Sequence, residues 1–375
     1  MLPPDRGPHE LYSLQILRGL AAVAVMLVHL PVFIEAKLGL TGFLPATLVG
    51  AAGVDVFFVI SGFIMVYASG ALFGASDAPL TFLVRRIVRI VPLYWTISGL
   101  MLGYILWARA DFAQADLSWS AIWTSFLFIP YPRPSGQLLP LLNVGWTLNY
   151  EMFFYLVFAA ALPLRRSAAV FAVASFFLAL AVIGRVATGP EWVGFITDPI
   201  ILEFCFGMII ALACVGGTPV PRWGALTLIV ASCAAFLASN QWGGRPSWRV
   251  LEWGVPAAML VAGSLWFARG TTAGLVRGAF TRLGDASYSL YLLHTPVMLA
   301  APRIILRFVD PASAPWLCIL AMVAAPIAVA LAVHALFERP VTRWLQDRIV
   351  AITRRPGDSS SPREAPSAPA AGRRA

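Results

Sequence analysis

Among the ionisable residues inside long apolar runs of this 375-residue chain, the candidates are His29, Asp55, Glu151, Glu203, His294 and His334. Hydrocarbon makes such residues expensive, so each marks a candidate site until a partner explains it. In the run LQILRGLAAVAVMLVHL, Arg18 and His29 stand eleven residues apart. On a helix that spacing leaves them about 20° apart around the axis and about 16 Å apart along it. One face then carries a cation at one end and an imidazole deep towards the other, a separation that an extended pantetheine arm spans. An arginine reaching back to headgroups and a histidine packed on a neighbouring helix fit the same pattern.

Other runs supply possible partners. Asp55 in GVDVFFVISGF occupies the same half of its helix as His29, and a pairing between them is expected. Ser61 and Gly62 either touch substrate or let two helices approach closely. In FLVRRIVRIVPLYW, Arg85, Arg86 and Arg89 project from one helical side. They suit either the phosphates of coenzyme A or simple anchoring at a membrane face. In NVGWTLNYEMFFYL, Glu151 and Tyr155 are i,i+4 neighbours beside Trp146 and Asn149, at the depth of His29. In LGDASYSLYLLHTP, Ser287, Tyr291 and His294 form one polar stripe, with a kink expected near Pro296. Glu338 is expected to be a solvated helix end, and Glu203 and His334 to be structural.

Positioning these residues requires a membrane. The chain is 59% hydrophobic and 12% charged, with mean hydropathy +0.79, whereas soluble domains are roughly half apolar and about a quarter charged. About ten apolar runs of spanning length are predicted, at 14–34, 48–69, 90–107, 144–162, 168–186, 198–215, 223–239, 250–268, 286–306 and 315–337. Residues 117–130 are expected to be interfacial or re-entrant. The fold class expected is therefore all-α, a polytopic transmembrane bundle. With the N-terminus inside, about 19 of the 27 Lys and Arg lie in inner segments, which predicts both termini to be cytoplasmic.

Three segments are expected: a short cytoplasmic segment 1–12, a membrane domain 13–348, and a basic tail 349–375 too polar to order itself. No cleavable signal follows the first run. The net charge of +9 sits between apolar runs, so membrane topology accounts for it and no nucleic-acid partner is expected. The four cysteines lack CxxC spacing and read as small buried side chains, with no metal site.

These segments, in order, resemble the bacterial membrane acyltransferase family 3 across nearly all of residues 11–345. The resemblance rests on LRGLAAVAVMLVH, GVDVFFVISGF, RRIVRIVPLYW, GWTLNYEMFFY, SYSLYLLHTP and FERP, and the exopolysaccharide-production type is the most similar subgroup. It implies an essential Arg18–His29 pair, an Arg86-x-x-Arg89 motif, a second-helix motif of Asp55, Ser61, Gly62 and Phe63, and Glu151 as a carboxylate after the tryptophan. One departure is Gln15-Ile16, where many members carry Asp-Gly.

The expected enzyme is thus an O-acyltransferase of a bacterial inner membrane. It moves an acyl group, acetyl foremost, from acyl-CoA to a hydroxyl of an exported polysaccharide or lipid-linked oligosaccharide. Acetyl-CoA is a donor co-substrate and no permanently bound cofactor is expected. Arg18, Arg85, Arg86 and Arg89 would hold the donor. His29 would act as general base, and Asp55 or Glu151 would orient its ring. Ser61, Trp146, Asn149, Tyr155, Tyr291 and His294 would contact substrate. An acyl-histidine intermediate stays open, since no Ser or Cys has the surroundings of an activated nucleophile. Membrane lipid and polysaccharide-biosynthesis or export proteins are the expected partners. The alternative is a proton-coupled transporter or flippase for a lipid-linked sugar or small anion.

Overall fold

The computed structural model describes residues 9–45, 48–108, 116–133, 136–186, 189–241, 248–268 and 275–353. Most of the tail 349–375 and most of segment 1–12 lie outside the described residues, while residues 349–353 are helical. Within the described residues the chain is helical, apart from one isolated bridge between Pro132 and Leu138.

The elements follow the hydropathy pattern. They are α1 (His9–Leu38), α2 (Gly53–Ala68), α3 (Ala78–Trp107), α4 (Trp119–Phe126), α5 (Trp146–Ala161), α6 (Arg166–Ile183), α7 (Glu191–Ile196) and α8 (Leu202–Val215), then α9 (Arg222–Gln241), α10 (Val255–Phe267), α11 (Leu275–Asp285), α12 (Ser287–Ala300), α13 (Pro302–Ile305), α14 (Pro315–Val333) and α15 (Arg339–Thr353). Among the described residues, eight helical stretches are long and apolar enough to cross a membrane, fewer than the ten runs predicted. The fourth and ninth predicted spans are the shorter α5 and α12. A 3₁₀ turn at Asn143–Gly145 leads directly into α5, and α12 passes Pro296 and continues into α13 through a helical Ala301. The stretch around α4 is a single short helix, with Trp119 and Trp123 exposed and stacked.

Two contiguous cores organise the bundle. The larger joins α2, α3, α5, α6, α8 and α10 around Phe58, Phe63, Phe154, Phe158, Phe177 and Phe204. The smaller joins α1, α12 and α14 around Met26, Leu30, Met298 and Met322. Large apolar side chains such as Leu100, Phe171, Leu178, Leu237 and Leu320 face outward, as lipid-contacting residues must. Cys205, Cys214 and Cys318 are buried as expected, whereas Cys233 is exposed.

Small residues set the closest approach. A Cβ on Gly62 would sit 2.0 Å from the Phe204 carbonyl oxygen, and one on Gly207 would sit 1.9 Å from that of Val59. The backbones of α2 and α8 therefore touch, the packing mode of small residues in membranes. Gly53 does the same against Ala21 of α1. Gly62 is thus a packing residue, which settles the alternative left open for it.

Candidate active site

A cavity of about 270 Å³ lies inside the bundle, walled by α1, α2, α3, α5 and α12. Helical periodicity puts each helix's contribution on one face, and the packing of the bundle brings the faces together. One face of α1 supplies Gln15 and Arg18. Val54, Phe57, Ser61 and Ile64 come from α2, Arg86, Arg89 and Ile90 from α3, and Thr147, Glu151 and Tyr155 from α5. Tyr288 and Tyr291 of α12 complete the wall.

Charge in this cavity is unbalanced. Three guanidinium groups, Arg18, Arg86 and Arg89, face one carboxylate, Glu151. Glu151 Oε1 already accepts hydrogen bonds from Ser61 Oγ at 3.0 Å and from Tyr155 Oη. The Arg86 guanidinium lies over the Phe82 ring at 5.4 Å, and its Nε is buried without a hydrogen-bond partner among the described residues. A buried unmatched donor beside two further cations is where an anion or a carbonyl oxygen belongs. Arg85, expected alongside them, is exposed and outside the cavity lining. On α3 Arg85 lies about 100° from Arg86 with Arg89 between them, so Arg86 turns inward, Arg85 faces out, and Arg89 stands at the edge, exposed yet lining the cavity.

Towards the His29 end the cavity closes on aromatic rings. Phe57 and Tyr291 meet edge to face with centroids 5.7 Å apart. The Tyr291 hydroxyl is held by Thr147 Oγ1 at 2.9 Å and the Val144 carbonyl at 3.1 Å. Behind this wall His294 packs 6.0 Å from the Tyr291 ring, and His29 packs 5.1 Å from His294. His29 itself does not line the cavity. Tyr291 at the wall and His294 behind it therefore stand between the cavity and His29.

Both imidazoles are oriented by backbone. His29 Nδ1 lies 2.8 Å from the Val25 carbonyl oxygen, and His294 Nδ1 lies 3.2 Å from that of Leu290. A carbonyl only accepts, so each Nδ1 carries the proton and each Nε2 presents a lone pair. His294 Nε2 is fully buried and without a partner among the described residues. His29 keeps partial exposure. This corrects the expectation that a carboxylate orients His29: the carbonyl one turn earlier on the same helix does so.

Asp55 is engaged elsewhere. Its two oxygens accept from Arg249 Nε at 3.0 Å and Nη2 at 2.7 Å, a bidentate pair. The Arg249 guanidinium also lies over Trp253 and Trp146. Glu203, fully buried, and Asp198 adjoin the same pair. Asp55 is therefore not the partner of His29, because Arg249 satisfies both of its oxygens. Glu151 likewise belongs to the arginine cavity. Trp146 and Asn149 lie outside that cavity, while Ser61, Tyr155 and Tyr291 line it.

Glu338 departs from its expectation as a solvated end. It is 8% exposed, accepts from Ser289 Oγ at 2.5 Å, and lies 2.9 Å from His334 Nδ1. A π-helical turn at His334–Glu338 brings the two together. His334 is thus paired, not solitary.

Gln15, Thr147, Tyr288 and Arg249 were missed in the sequence. Gln15 carried a signal, being one helical turn from Arg18. Arg249 carried none, since 194 residues separate it from Asp55.

Comparison with known proteins agrees with this architecture. A family model described as "Acyltransferase domain" matches residues 11–335. The chain is 37% identical to the exopolysaccharide production protein ExoZ of Rhizobium meliloti (strain 1021), over 79% of this chain and 90% of that protein. It is 28% identical to the acyltransferase MdmB of Streptomyces mycarofaciens, over 94% of this chain and 97% of that protein. No solved structure matches.

Proposed function

The chain belongs to this membrane acyltransferase family, and on that premise we propose that it transfers an acetyl group from acetyl-CoA to a hydroxyl of an exported polysaccharide or its lipid-linked precursor. The observation that carries the donor assignment is the intramembrane cavity with three arginines against one carboxylate. Ligand pockets span about 300–1,000 Å³. At about 270 Å³ this one suits an acyl-pantetheine arm and not the whole cofactor. The nucleotide and its phosphates then stay at the arginine end, where Arg18, Arg86 and Arg89 counter their charge. The excess of Lys and Arg in the loops at that end supports reading it as the cytoplasmic side, which suits a bacterial inner membrane.

In this reading the arm enters past the arginines, with Glu151, Ser61 and Tyr155 along its path. The Phe57, Tyr291 and His294 rings must part to admit the thioester to His29. The acceptor hydroxyl gives its proton to His29 Nε2 as its oxygen attacks the thioester carbon. The C–S bond breaks, and the leaving thiolate takes the proton back from the imidazolium. The Val25 carbonyl stabilises that cation through Nδ1–H. Base catalysis of this kind contributes about 10²- to 10⁴-fold. The aromatic wall keeps water from the thioester until an acceptor is present. The likeness to ExoZ supports an exopolysaccharide acceptor.

The test uses purified protein in detergent with radiolabelled acetyl-CoA and lipid-linked oligosaccharides from a polysaccharide-producing bacterium. Label should enter the glycan as an O-ester. His29→Ala should reduce transfer by about 10²-fold or more at an unchanged thermal midpoint. Normal transfer by that variant refutes the mechanism. Glycan movement across vesicles without any need for CoA would point to a transporter instead.

A further inference from the structure

We propose that Asp285, outside the cavity, is a positioning residue for the donor site, acting through Gln15 on Arg18. The inference rests on the donor reading above. Arg18 Nη1 donates to Gln15 Oε1 at 3.1 Å, and Gln15 Nε2 donates to Asp285 Oδ1 at 3.0 Å. A guanidinium only donates and an ionised carboxylate only accepts. The two partners therefore fix the amide orientation between them, with no freedom to flip. Gln15 and Arg18 both line the cavity, whereas Asp285 closes α11 at its edge.

The backbone leaves this relay no slack. A Cβ on Gly284 would sit 1.9 Å from the Gln15 carbonyl oxygen, and one on Gly19 would sit 3.0 Å from the Gly284 nitrogen. The end of α11 is pressed against the turn of α1 that carries Gln15 and Arg18. Asp285 thereby reaches Gln15 from a fixed point 270 residues away in the chain. The neutral amide matters chemically. The amide holds one Nη and passes on only the orientation, so the remaining donors and the full charge stay available to an anionic ligand.

The experiment measures acetyl-CoA binding by titration calorimetry, and initial rates, on full-length protein in detergent. Asp285→Ala and Gln15→Ala should each raise the KM for acetyl-CoA by about three- to ten-fold and weaken binding to match, with kcat at saturating donor within two-fold. The double variant should be no worse than Gln15→Ala alone, because both changes cut one relay. Asp285→Asn, which keeps an acceptor oxygen, should restore most of the affinity. Additive losses, a fall in kcat, or a lowered thermal midpoint with unchanged KM would overturn the proposal in favour of a packing role. Wild-type protein that does not bind acetyl-CoA would overturn the donor reading and this inference together. Tight wild-type binding that Asp285→Ala leaves intact would overturn this inference alone.

Discussion

Two clusters of charge among the described residues are opposites. The cluster of Arg18, Arg86, Arg89 and Glu151 encloses an empty volume and keeps an excess of positive charge. The cluster of Asp55, Arg249, Glu203 and Asp198 holds an excess of carboxyls, and its central pair is matched bond for bond. Both consist of ionisable residues in apolar surroundings, which by sequence alone mark function equally. The difference is the open space beside the unmatched group: the Glu203 oxygens are also buried without a hydrogen-bond partner among the described residues, but they lie outside the cavity. Where a guanidinium keeps an unmatched buried nitrogen beside open space, a ligand has a place. Where a guanidinium spends its fork on one carboxylate, the residues tie α2 to the start of α10.

The comparison is best broken by removing charge from each cluster in turn. Arg18→Ala combined with Arg86→Ala should lower kcat/KM for acetyl-CoA by about 10²- to 10⁴-fold, at about 1.5–3 kcal/mol for each charged hydrogen bond. The thermal midpoint should hold, and a folded variant with normal kcat/KM would remove the donor assignment. Asp55→Asn should act in the reverse sense, on stability. Breaking a buried pair costs about 3–5 kcal/mol, and the 28% exposure of Arg249 places the loss below that range. Exchanging the charges, Asp55→Arg with Arg249→Asp, should recover part of the lost thermal midpoint. Activity lost without any loss of stability would instead make Asp55 part of the chemistry.

Smaller effects sharpen the same contrast. Gly62→Ala forces a methyl towards the Phe204 carbonyl and should destabilise by about 1–3 kcal/mol, read as a lower detergent-denaturation midpoint. Arg85→Ala, on the exposed side of α3, should change the KM for acetyl-CoA less than two-fold. A change as large as that of Arg86→Ala would mean that the nucleotide lies across both faces of the helix.

Much of the site was legible in the sequence because its signals are local. Arg18, Arg86, Arg89, Ser61, Glu151 and Tyr155 each follow from a hydrophobic run interrupted at helical spacing, and the cavity gathers all six. Asp55 shows the limit. Its depth was readable and suggested His29, but depth does not fix which way a helix is turned. Arg249 precedes an apolar run at 250–268, where the sequence offers only a loop cation, although its side chain reaches Asp55. Glu338 was read as solvated because it ends an apolar run, and the π-helical turn that buries it against His334 left no mark in the composition.

By itself, then, the sequence determined the solvent, the apolar helices and the types of residue available for acyl transfer. Those depend on hydropathy and on a 3.6-residue period, which neighbours along the chain define. Only the tertiary structure decided that Arg249 takes Asp55, that Asp285 reaches Arg18 through Gln15, and that Tyr291 and His294 stand between the arginines and His29. Such pairings depend on the rotation and register of helices hundreds of residues apart, set by glycine contacts such as Gly62 with Phe204 and Gly284 with Gln15.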